Sequence, residues 1–175
     1  TCALPICAFN FKGIAISDFA SVIEINWGDS PNIRLEQISL QTATGELSGS
    51  AVLNGEQPKL RAQLAGGSNL SELFAFVEVE TLIRPMGFWS GNNLSFSQQF
   101  DSWENFNPIG KTSFEGNLQL KEVSFGISES NINFEKVEAE LTVKENDIRV
   151  DRCFVQSGPN NAVASGVVNN ALYGR

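Results

Sequence analysis

Histidine is missing altogether from this 175-residue sequence. Its absence removes imidazole bases, His-dependent triads and most zinc sites together. Positive charge is scarce as well: 12 Lys and Arg stand against 20 Asp and Glu, a net charge of −8. Phosphate binding needs concentrated Lys and Arg, so nucleic acid is not expected as a partner. The same deficit disfavours electrostatic docking on anionic lipid head groups. There are three cysteines, Cys2, Cys7 and Cys153. A Cys2–Cys7 bridge would leave Cys153 over, at an apolar position where a small buried hydrophobe is expected. No run approaches the roughly 18 apolar residues needed to cross a bilayer. The opening Thr1-Cys2-Ala3, with no initiator Met, reads as a piece of a longer protein. Any targeting segment, and any membrane attachment, is then expected outside this chain.

Catalytic signatures are lacking too. Asp101 and Glu104 could be paired carboxylates, but spacing alone cannot set the separation that glycoside hydrolysis demands. Ser48-Gly49-Ser50 has no nucleophile elbow around it. Gly66-Gly67 precedes a helical pattern without the Lys-Ser/Thr of a phosphate loop. Asn131, Asn146 and Asp147 read as turn residues rather than a calcium loop. The expectation is a non-enzyme with no cofactor and no metal. Asn69-Leu70-Ser71 and Asn93-Leu94-Ser95 match the glycosylation sequon, a weak signal.

What the chain does have is strand-like alternation. Val137, Ala139, Leu141 and Val143 alternate with Glu138, Glu140, Thr142 and Lys144, giving one apolar and one wet face. Glu145-Asn146-Asp147 supplies a turn, Ile148, Val150, Cys153 and Val155 follow, and Ser157–Asn161 turns the chain into Ala162–Val168. Ile33, Leu35, Ile38 and Leu40 share the spacing of Ile148, Val150, Cys153 and Val155. So do Leu118, Leu120, Val123 and Phe125, and Phe9, Phe11, Ile14 and Ile16. The step of three in the middle of each predicts a one-residue bulge. Two repeats, about residues 9–65 and 116–170, are expected within a single β-rich domain over 1–175.

A helix and an aromatic-rich segment, about 66–110, are expected to join those repeats. Asn69 or Ser68 can cap the helix, with Glu72 as capping-box partner and Leu70, Leu73, Phe74 and Val77 on one face. Phe88, Trp89, Phe96, Phe100, Trp103 and Phe106 then fall in a loop-like stretch, with Leu94–Ser97 an edge strand. They read as a flap packed over the sheet, or as a ligand-lining wall or stacking platform. Lys121, Glu122, Glu135, Lys136, Glu138 and Glu140 read as a solvated face. The expected architecture is a curved antiparallel meander with one short helix, forming either a repeating β-groove or a sandwich-like fold. Its apolar face must be buried, or meet something apolar such as acyl chains.

The run Leu47–Gly55, then Pro58–Leu64 and Leu70–Phe76, resembles the carboxy-terminal region of AsmA-family proteins, particularly Bacteroidetes-type members. So do Gly116–Phe125, Phe134–Leu141 and Glu145–Ile148. The resemblance covers about residues 33–170. It implies an envelope protein anchored in the inner membrane, with a β-rich periplasmic part that supports outer-membrane biogenesis or guides phospholipid along a groove. No catalytic residue carries over. The expected groove lining is Leu118, Leu120, Val123, Phe125, Val137, Leu141, Ile148 and Val150, and the expected partners are phospholipid acyl chains or other envelope proteins. The rival readings are a carbohydrate-binding or adhesin-type β-sandwich that stacks sugars on Trp27, Trp89 or Trp103, and a structural spacer.

Overall fold

The computed structural model describes residues 2–11, 14–28, 31–72, 82–128, 130, 132–145 and 147–169. Ten antiparallel strands form one sheet whose order is the order of the chain. They are β1 (Cys2–Phe11), β2 (Ile14–Asn26), β3 (Asn32–Thr42), β4 (Glu46–Asn54) and β5 (Lys59–Asn69), then β6 (Leu82–Phe100), β7 (Pro108–Ile127), β8 (Ile132–Lys144), β9 (Asp147–Ser157) and β10 (Asn160–Val168). The sheet is curved and does not close on itself. No second sheet forms among the described residues, so the sandwich-like alternative is corrected to a single layer.

Short turns set the meander. Lys144 pairs with Asp147 across a two-residue loop in which Glu145 takes φ 57°. Ser157 pairs with Asn160 across Gly158-Pro159, with Gly158 at φ 54°, the first-position glycine that tight hairpins favour. The predicted bulges are present in three of the four places. β3 carries two residues, Glu36 and Gln37, against one on β4, and β7 carries Lys121 and Glu122 against Glu138. The extra residue is absorbed by left-handed backbone at Gln37 (φ 52°) and Glu122 (φ 51°). β9 shifts register between Val150 and Cys153 against both neighbours. The fourth instance is corrected: Phe11 pairs with Ile14, so that step of three is the β1–β2 turn.

The aromatic segment is also corrected. Residues 82–100 are one 19-residue strand inside the sheet, paired with β5 on one side and β7 on the other. The flap of Phe88, Trp89, Phe96, Phe100, Trp103 and Phe106 does not exist as a separate layer. Four register shifts along the β6–β7 pair, with left-handed φ at Arg84, Gly87 and Asn93, break the alternation that would have marked the strand. β5 likewise runs through Gly66-Gly67 to Asn69.

A helical turn opens at Leu70, which is 4% exposed and packed into the core. Asn69 caps it: the Ser71 N–H donates to Asn69 Oδ1 at 3.1 Å. Glu72 does not complete the capping box; it accepts from Thr42 Oγ1 at 2.7 Å, while the Asn69 N–H donates to Thr44 Oγ1. The expected helix positions Leu73, Phe74 and Val77 lie outside the described residues. Cys2 and Cys7 lie on one extended strand, roughly 16 Å apart at strand rise. That is beyond the reach of a disulfide, about 7 Å between Cα atoms.

Candidate functional site

Strand register lines up apolar positions across the whole sheet. One row pairs Ile6, Phe19, Leu40, Leu47, Gly66, Gly91, Leu118, Leu141, Val150 and Gly166, one residue from each strand. Beside it runs Ser68, Trp89, Leu120, Ala139, Cys153 and Ala164. A third row is Val123, Val137, Val155 and Ala162. The bulges keep these positions on one face; without them each step of three would turn the following residues outward.

All eight expected lining residues therefore share this face, on β7, β8 and β9. Val123 (3% exposed) and Val137 (7%) are buried, and Leu118, Leu120 and Phe125 pack against them. Leu141, Ile148 and Val150 are half-buried. Leu64, Leu94, Phe114 and Phe134 belong to the same cluster and were not expected. The alternation Leu94-Ser95-Phe96 was the available signal for Leu94. Phe134 packs at a tilt beside Phe125, ring centroids 5.0 Å apart, a cross-strand contact that no local pattern reveals.

The six aromatics divide three ways. Trp89 is buried on the apolar face and donates its indole N–H to Ser68 Oγ at 3.0 Å; Phe96 pairs with Phe114 there. Phe88 points to the other face and is 49% exposed. Phe100, Trp103 and Phe106 cap one end of the sheet. Trp103 packs edge-on against Phe106 and against Trp27 at 5.6 Å, and its N–H donates to the Gly55 carbonyl at 2.8 Å. Asp101 holds that turn together. Desolvation opposes its ionisation, but hydrogen bonds from the Asn107 side chain and the Ser102 and Asn107 N–H groups outweigh it and lower its pKa below 3.8. A carboxylate held by these three hydrogen bonds is a turn anchor.

The opposite face is polar. Arg34 pairs with Glu24 and Glu36, Lys136 with Glu138 and Arg149 with Asp151, at 2.8 to 3.9 Å. The Glu138 contact holds the Lys136 ammonium above its ordinary pKa. A depression of about 420 Å³ on this side is floored by Phe88 and Phe154 and framed by Lys121, Glu122, Glu138, Glu140 and Arg152. Its rim is charged and solvent-facing, and Leu120 and Ala139 of the second row also line it.

The apolar face is only partly covered. The protein exposes 11467 Å². A compact monomer of 19.1 kDa would expose about 8,400 Å². The excess is what a single curved layer gives: the rows shield one another along the curve, and most of their leucines stay half-buried. Among the described residues no group of three or more Cys, Asp or Glu could hold a metal, and no helix is long and apolar enough to cross a membrane. Compared with known protein families, with characterised proteins and with solved structures, the chain finds no match.

Proposed function

We propose that this chain is a non-enzymatic β-groove domain that shelters phospholipid acyl chains. In this reading it is an AsmA-like periplasmic domain that supports phospholipid transport or outer-membrane biogenesis. The observation that carries the reading is the apolar row crossing all ten strands of an unclosed sheet, from Ile6 to Gly166. A water-averse strip with no second layer over it among the described residues matches an extended hydrocarbon chain better than a compact polar ligand. The AsmA resemblance supports the periplasmic compartment, with inner-membrane attachment through a segment outside this chain. The test is native mass spectrometry of protein prepared without detergent, followed by uptake of a fluorescent phospholipid. Phospholipid adducts are expected, and the L118E/L141E variant should lose uptake while keeping its β-sheet circular dichroism. Absence of both adducts and uptake would overturn the reading.

One observation favours carbohydrate binding as a second reading: Trp27 is 67% exposed beside Trp103. Trp89 is unavailable for stacking, being buried and hydrogen-bonded. Glycan-array binding abolished by Trp27→Ala would support this alternative.

A further inference from the structure

Charges on the polar face close into ion pairs at several points: Lys136 holds Glu138 at 2.9 Å and Arg149 holds Asp151 at 2.8 Å. The depression of about 420 Å³ on that face is built differently. Glu140 and Arg152 stand directly opposite one another there, on β8 and β9, and among the described residues neither forms an ion pair. Lys121 and Glu122, consecutive at the β7 bulge, do not form one either. Cross-strand partners of opposite sign ordinarily attract. Here two cations and two carboxylates instead surround one concave space. Phe88, 49% exposed in the Lys121 row, and Phe154, opposite Glu138, add apolar contact at its sides.

We infer that this depression is a binding site for a short zwitterionic peptide, a free dipeptide with an apolar side chain. Two charges of each sign select for it: a net cation would meet Lys121 and Arg152, and a net anion would meet Glu122 and Glu140. The ammonium group of the zwitterion donates to Glu140, while its carboxylate accepts from Arg152, whose guanidinium can donate two parallel hydrogen bonds. The apolar side chain lies against Phe88 or Phe154. The dimensions agree with this. Neighbouring strands are about 4.8 Å apart and alternate residues on one face about 6.8 Å, so the β8 carboxylate and the cations beside it start about 5–8 Å apart. Two extended residues reach about 7 Å, and one residue only about half of that. The volume falls within the roughly 300–1,000 Å³ of small-molecule sites. These charged side chains alternate with the expected acyl lining and point away from it, so the site stands whether or not lipid is bound.

An amide-resolved NMR titration of the full chain with alanylphenylalanine tests this, beside the same dipeptide acetylated at its amino end and amidated at its carboxyl end. Saturable shifts are expected around Lys121, Glu140 and Arg152, with a dissociation constant of about 1 mM, because exposed charge pairs are weak. The doubly blocked peptide, which carries neither charge, should bind about tenfold more weakly, and added salt should weaken the free dipeptide. Glu140→Gln and Arg152→Gln, both at exposed positions on which the fold does not depend, should each weaken it about fivefold. No saturable shift up to about 20 mM dipeptide would overturn the inference. So would equal binding of the blocked peptide, free phenylalanine binding as tightly as the dipeptide, or unchanged affinity in both variants.

Discussion

The β7–β9 region and the β4–β6 region hold the same curved wall by opposite means. Across β7–β9 the apolar face is filled by side chains: Val123, Val137, Ala139 and Val143 are each no more than 7% exposed. Across β4–β6 the strands meet at glycines, where backbone stands against backbone. A Cβ at Gly49, Gly66 or Gly67 would lie 2.0, 2.1 and 2.2 Å from the carbonyl oxygens of Gln63, Glu46 and Trp89. Side-chain volume tolerates exchange among shapes of similar size, whereas a backbone contact admits no side chain at all. One region should therefore drift under mutation and the other should not.

The largest effect is expected where this contrast is sharpest. Gly66→Ala meets both the 2.1 Å clash and a φ of 138°, and should cost about 3 kcal/mol in urea unfolding. Gly166→Ala, with nothing within 4 Å, should stay within about 0.5 kcal/mol. Equal costs would dissolve the distinction. Val137→Ala should then cost about 2 kcal/mol, against about 1 kcal/mol for half-buried Leu60→Ala on β5. A Leu60 variant as damaging as the Val137 one would mean the two regions are filled alike. Glu122→Gly relieves a left-handed φ of 51° at the β7 bulge and should stabilise by about 0.5 kcal/mol. Loss of stability there would show that the Glu122 side chain contributes something the backbone does not.

The smallest expected effect is set by pH. The Asp101 pKa is lowered in the folded protein, so its contribution is present above its unfolded value of 3.8 and is lost as pH falls through the lower folded value. Asp101→Asn should flatten that acid limb of an unfolding-versus-pH profile and change little at pH 7. An unchanged acid limb would remove Asp101 from the account of the turn.

Legibility followed regularity. β8 and β9 were readable because a wet face and an apolar face alternate there, and the step of three at Leu120–Val123 disclosed a real bulge. β6 was not, because its register slips four times against β7 and its apolar residues change face without a sequence period. Gly66-Gly67 reads as a break in isolation; only the closeness of β4 and β6 shows why a strand interior needs two residues without side chains. The eight residues from Leu118 to Val150 fall on one face of β7, β8 and β9, and their spacing, bulge included, is written in the sequence. Leu64 and Phe114 were missed because their place depends on cross-strand pairing.

Strand order that follows chain order has a kinetic consequence. Each strand's substantial contacts are with its immediate predecessor and successor, so every hairpin can zip up on the one before it with little loop-closure entropy to overcome. Growth from any starting hairpin is then possible in either direction, as in solenoids, and a half-finished ribbon is already a usable template for the next turn of chain.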